Sequence, residues 1–195
     1  MTPTAIDKLN NYFSRFIKIG EKEQAIIASL FTERRYLKGH YLLQNGDLCR
    51  KVSFVTSGAT KTFYVDDSGK EHIIMFGVED WWVADLSSFI TQTPSDFNVQ
   101  CIERTEVLQL SFEGRKQLFQ EIPEMERFFR IITEKAYVAT QKRIIANYSK
   151  SAKERYIEFC ESYPSIANRV PQYMIASYLG ISKEFLSKIR NQMSQ

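Results

Sequence analysis

The stretch "SYLGISKEFLSKIR" (177–190) concentrates side chains that could do recognition chemistry. Placed on a helix starting at Ser182, residues Phe185, Leu186 and Ile189 fall on one side, and Ser182, Lys183, Glu184, Ser187, Lys188 and Arg190 on the other. A lysine can donate to guanine acceptors in a major groove, a glutamate can accept from a cytosine amino group, and nearby cations can neutralise phosphates. Just upstream, Gln172–Leu179 reads as a shorter helix with Ile175, Ala176 and Leu179 inward. Gly180 supplies the turn and Ser182 the cap of the next helix. An alanine, a glycine four residues later, and apolar residues six and nine beyond that glycine form the spacing of a helix-turn-helix. The competing reading of the polar side is a merely solvated face. Arg169 and Gln172 stand where phosphate contacts are expected, with Lys150 and Lys153 as further candidates.

Other chemistries lack their residues. Cys49, Cys101 and Cys160 are dispersed, an odd count without the close pairing of zinc or iron–sulfur ligands, and read as small buried hydrophobes. His40 and His72 have no ligand spacing. There is no phosphate-binding glycine loop, nucleophile elbow or catalytic His/Cys pair, so neither an enzyme nor a cofactor is expected. Charge is unevenly distributed: residues 135–195 hold ten Lys/Arg against four acids, leaving −3 on the first 134 residues of a chain whose net charge is +3. A basic rear suits a polyanionic partner. No run approaches the roughly 18 apolar residues of a membrane span, and the start lacks a signal-peptide layout; the expectation is a cytoplasmic protein without membrane contact.

The elements that must position these side chains follow from changes of period. Residues 5–31 carry helical spacing interrupted at Gly20. From 33 to 111 the pattern becomes short β-rich runs with turn signals, including a hairpin at "DDSGKE" and a helical insert at 83–92 closed by Pro94. A short helix at 112–122 precedes a long one opened by Pro123. Along it Met125, Phe129, Ile132, Ala136, Ala139, Arg143 and Ala146 step by four and three, the spacing of a self-association seam, while Phe128, Ile131 and Ile145 are expected to pack on the chain's own β region. The fold class is therefore α+β: an N-terminal antiparallel β-roll, jelly-roll-like, with flanking helices (1–121), a long dimerisation helix (122–148) and a small helical helix-turn-helix domain (149–195).

This order of parts resembles the Crp/Fnr family of bacterial transcription regulators across essentially the whole chain. The most specific pieces are "RVPQYMIASYLGISKEFLSKIR" and the insert "WWVADLSSFITQTPSDFNVQ" before a strand. The resemblance implies a homodimer reading a near-palindromic operator in double-stranded DNA, with RNA polymerase as a partner if it activates. In the family an Arg-Glu pair follows the cap serine and another Arg lies four residues beyond the Glu. Lys183, Glu184 and Lys188 stand there in this chain, keeping charge but losing the bidentate guanidinium. The insert matches the phosphate-binding cassette of a cyclic-nucleotide pocket. Asp85 replaces the glutamate that holds the ribose, and Ser95, Asp96 and Phe97 replace the Arg-Ser-Ala run that holds the phosphate. Without that cation cyclic AMP is expected to bind poorly or not at all. A repurposed effector pocket lined by Phe63, Phe76, Trp82, Val83, Leu86, Phe97 and Val99 is one reading, and a plain aromatic core the other. Five residues follow Arg190, too few for the two-stranded wing most relatives carry. The alternative function is a ligand-sensing or protein-interaction module whose tail does not bind DNA.

Overall fold

The computed structural model describes residues 4–193. Two helices, α1 (Ala5–Phe13) and α2 (Glu21–Leu30), lead into strands β1 (Phe31–Tyr36), β2 (Tyr41–Leu43), β3 (Lys51–Ser57), β4 (Thr60–Val65), β5 (Glu71–Gly77) and β6 (Trp82–Val83). Helix α3 (Leu86–Thr91) is the insert, followed by β7 (Asn98–Cys101) and β8 (Thr105–Ser111). Helices α4 (Phe112–Glu121), α5 (Glu124–Ser149), α6 (Ala152–Ser162), α7 (Pro164–Arg169), α8 (Gln172–Leu179) and α9 (Lys183–Met193) complete the described chain. The strands form two antiparallel four-stranded sheets, ordered β1-β8-β3-β6 and β2-β7-β4-β5. This is the roll expected from the sequence. Gly69 takes φ +81° in the β4–β5 turn, a value that glycine adopts without side-chain strain.

Two apolar cores hold the molecule together. The first lies inside the roll and under the leading helices, where Leu9, Phe13, Phe54, Val107, Leu110, Leu118 and Phe128 are buried. Phe13 and Phe128 meet edge to face with ring centres 4.7 Å apart, a geometry that adds to area burial. The second core lies on the outer face of the β4–β5 sheet. There Phe63, Ile73, Phe76 and Val78 pack with Tyr156, Phe159, Val170, Ile175, Leu179, Leu186 and Ile189. Strand β4 is consequently covered on both faces, and Thr60 through Phe63 are all buried in succession.

Strand β5 is an edge strand, with exposed backbone groups that need partners. Ser177 of α8 supplies two: its hydroxyl donates to Glu71 O at 3.0 Å and accepts from Ile73 N at 3.1 Å. Arg143 of α5 donates to the carbonyl of Ile74.

Helix α5 corrects the first part of the sequence-based seam. Met125 is fully buried in the roll core, and Phe129 and Ile132 pack against it, so these residues serve the chain itself. Arg143 continues that face through Ile74, while Ala136 and Ala139 are exposed. Phe128 packs inward as expected, but Ile145 is exposed. The unpartnered apolar stripe is Tyr137, Val138, Ile144, Ile145 and Tyr148, the last 90% exposed. At 3.6 residues per turn these positions lie on the far side of the helix from Met125 and Phe129.

Candidate nucleic-acid interface and cassette

Helices α8 and α9 are joined by Gly180, whose φ of +67° and ψ of +31° place it in the left-handed region. The amide of Ile181 returns to Ala176 O at 3.0 Å, closing α8 and redirecting the chain. Ala176 is buried where the helices approach, with Ile175, Leu179, Leu186 and Ile189 as the shared apolar contact. Phe185 departs from expectation: it is half exposed rather than inward. The hydroxyl of Ser182 accepts from Phe185 N at 3.1 Å, satisfying an amide of the first turn of α9.

Lys183, Glu184, Ser187, Lys188 and Arg190 are all exposed along α9, on the side away from the apolar contact. The Glu184 backbone amide and the Ser182 hydroxyl hold the Glu184 carboxyl below the usual range, so it stands ready as an ionised acceptor. A cleft of about 590 Å³, lined in part by Lys70, His72, Tyr173, Ser182 and Lys183, separates the start of α9 from the β4–β5 hairpin. The polar face of α9 is thus unobstructed by the roll.

The other candidate contacts are placed differently. Arg169, at the end of α7, donates to Glu79 through both terminal nitrogens at 2.7 and 3.2 Å, and also pairs with Glu103. The hydrogen bonds to Glu79 push its proton affinity still higher. Gln172 opens α8 with its side-chain carbonyl oxygen buried and without a hydrogen-bond partner. Lys150 pairs with Glu158 at 2.8 Å.

The insert does not gather its candidate residues around one cavity. Phe63 and Phe76 belong to the outer core under α6–α9, whereas Val83 and Val99 lie in the roll core. Trp82 also joins the roll core, against Phe54 and Phe129. Leu86 and Asp96 are exposed and Phe97 is half-buried. The reason is the double coverage of the second sheet, which sends neighbouring side chains of β4 and β5 to opposite cores.

What the insert does contain is a closed knot of polar groups. Asp85 caps α3, accepting from Ser88 N at 3.1 Å and from the Ser95 hydroxyl at 2.7 Å. Ser88 in turn accepts from Cys49 N at 3.0 Å and donates to Thr93 O at 2.5 Å. The backbone of Ser95 is bonded to Asp47 and Gly46, both at 2.8 Å. Asp85, Ser88 and Ser95 are at most 5% exposed. Burial of the Cys49 thiol beside them pushes its pKa up, which keeps it protonated and unreactive.

Sequence reasoning missed Ser177, Glu79 and Glu103, which tie the C-terminal helices to the roll. The available signal was the position of β5 at a sheet edge, which requires a topology to see. Among the described residues no helix is long and apolar enough to cross a membrane.

Comparison with known proteins agrees with this architecture. Residues 33–122 match the cyclic nucleotide-binding domain family. The chain is 27% identical over 169 residues to the transcriptional activator protein Anr of Pseudomonas aeruginosa, covering 81% of this chain and 68% of Anr. Among solved structures, the c-di-GMP-responsive global regulator CLP of Xanthomonas campestris superposes with a TM-score of 0.72 at 16% identity, covering 90% of this chain and 92% of CLP. A regulator assigned to the Crp/Fnr family from Eubacterium rectale gives 0.71 at 15% identity, covering 94% and 88% of the two chains. With a cyclic nucleotide-binding domain match over its roll and this order of helices behind it, the chain is similar to transcription regulators of the Crp/Fnr type.

Proposed function

We propose that the protein is a homodimeric, sequence-specific DNA-binding transcription regulator that does not respond to cyclic AMP. The observation that carries the reading is α9: a capped helix fixed by Leu186 and Ile189, with Lys183, Glu184, Ser187 and Lys188 directed to solvent. A helix of this kind fits the major groove, its lysines donating to purine acceptors and Glu184 accepting from cytosine. The similarity to transcriptional activators supports the same conclusion. Selection from random double-stranded DNA tests it. The expected product is a near-palindromic consensus bound with affinity that falls steeply with salt; recovery of no consensus refutes the reading.

The second copy is assigned to the exposed stripe of α5. Tyr137, Val138, Ile144, Ile145 and Tyr148 recur at three, four and seven residues, as a helix–helix seam requires. The helix is 26 residues, about 39 Å, long enough to carry both a roll-packed front and a paired rear. Ile144→Glu with Tyr148→Glu should yield a folded monomer by sedimentation equilibrium, whereas Ala139→Glu on the former seam should leave the dimer intact.

Insensitivity to cyclic AMP follows from the knot. The Ser95 hydroxyl and the Asp85 carboxylate, two of the cassette's candidate ligand contacts, are bonded to each other. A cyclic phosphate there would face Asp85 and Asp96 without the family's arginine.

A further inference from the structure

The C-terminal helices do not hang freely from α5. They are fastened to the roll at three kinds of contact: the apolar core of Phe63, Phe76, Phe159 and Ile175, the Ser177 hydroxyl on the β5 edge, and Arg169 between two carboxylates. The last contact differs from the others in what it occupies. Arg169 ends α7 three residues before α8 begins, so it stands at the amino end of the first helix of the reader. That is the end a phosphate approaches, because free amides and positive potential accumulate there.

Glu79, in the β5–β6 connection, is itself anchored, its carboxylate accepting from Gly58 N at 2.8 Å. Glu103, in the β7–β8 connection, completes the clamp. Two carboxylates meet one guanidinium, so the cluster carries a net negative charge at the place where the polyanion must arrive. Carboxylate and phosphate compete for the same guanidinium donors, and both terminal nitrogens of Arg169 are already engaged by Glu79 and Glu103.

We propose that Glu79 and Glu103 act as internal competitors of DNA, holding Arg169 in place of a backbone phosphate and keeping the reader docked on the roll. This rests on the DNA-binding reading above. Binding then proceeds by exchange: Arg169 leaves the two carboxylates and takes a phosphate, Ser177 releases the β5 edge, and α9 keeps the face it already presents. The dock is a restraint on output that needs no small molecule.

The test uses the full chain and the DNA site obtained by selection. Glu79→Gln with Glu103→Gln keeps shape and hydrogen-bonding ability while removing the competing charge. The double variant should bind about 5- to 20-fold more tightly than wild type at low salt. Its affinity should also depend more steeply on salt, by about one phosphate contact. Adding Arg169→Ala to the pair should abolish both gains. Hydrogen exchange at the Ile73 amide should quicken when wild type binds DNA, because Ser177 no longer protects it. Unchanged or weaker binding by the folded double variant overturns the proposal, as does an Ile73 amide equally protected with and without DNA. Failure of wild type to select any site, by contrast, defeats the DNA-binding reading itself.

Discussion

The cassette helix α3 and helix α9, the proposed reader, begin alike and dispose their polar groups in opposite ways. Each follows a turn and a capping side chain, Asp85 in one case and Ser182 in the other. At the cassette the polar groups turn inward: Asp85, Ser88 and Ser95 are buried and bonded to one another. At α9 they turn outward: Lys183, Ser187 and Lys188 are exposed, while Ser182 caps the helix. A motif confers recognition only where its donors and acceptors remain unsatisfied in the free protein. The cassette has spent its polar groups on one another, whereas α9, the proposed reader, still presents Lys183, Ser187 and Lys188 to solvent.

The largest expected effect comes from emptying the open site. Lys183→Ala with Lys188→Ala should weaken specific DNA binding by about 100-fold, since each good base contact is worth about 1–3 kcal/mol. Thermal stability should be almost unchanged, because both lysines are exposed and surface substitutions stay within about 0.5 kcal/mol. Affinity that survives the double substitution would show that α9 reads nothing.

The converse holds for the closed site, where substitution should cost stability and leave DNA recognition alone. Asp85→Ala removes the acceptor for Ser88 N and for the Ser95 hydroxyl. Leaving the buried Ser88 amide unpaired, and the Ser95 hydroxyl with only its longer bond to Phe97 O at 3.2 Å, should lower unfolding free energy by about 2 kcal/mol in a urea melt. Asp85→Asn keeps one acceptor oxygen and should lose less. Equal stability of all three proteins would mean that the knot contributes nothing to the fold.

The contrast also marks what the sequence makes legible. Gly180, Ala176, Leu186 and Ile189 announce the helix-turn-helix because its spacing is local and each residue type answers one geometric need. The Asp85 and Ser95 replacements were equally visible, yet their mutual bond depends on a loop closing across ten residues. Helix α5 shows the harder case. Its four-and-three stepping from Met125 is real, but periodicity identifies an apolar face without naming what covers it. The roll covers the Met125–Ile132 part of that face, Ala136 and Ala139 are exposed, and a second stripe from Tyr137 to Tyr148 lies opposite. Strand β4 hid for a related reason: "TKTFYV" contains a buried lysine, Lys61, paired with Glu71 and lying 4.2 Å from the Phe63 ring centre. No alternation rule anticipates a lysine held beneath both an ion pair and a ring. The docking of α8 on β5 joins residues more than 100 positions apart, and so lay beyond any local pattern.

The smallest expected effect is the most pointed. Cyclic AMP at 1 mM should leave the melting temperature of the wild-type protein where it is. A ligand bound at about 10 μM would stabilise the native state by about 2.7 kcal/mol at that concentration. For a chain of this size each kcal/mol is worth about 2–4 °C, so binding would be plain in a thermal scan. Ser95→Ala sharpens the test, because it frees one oxygen of Asp85 without supplying a cation. If the knot alone excludes the nucleotide, this variant should gain a thermal shift with cyclic AMP; if the missing positive charge excludes it, the variant should stay as silent as wild type. The second outcome is expected, because opening the knot exposes a carboxylate, and a carboxylate repels the phosphate that the pocket would have to hold.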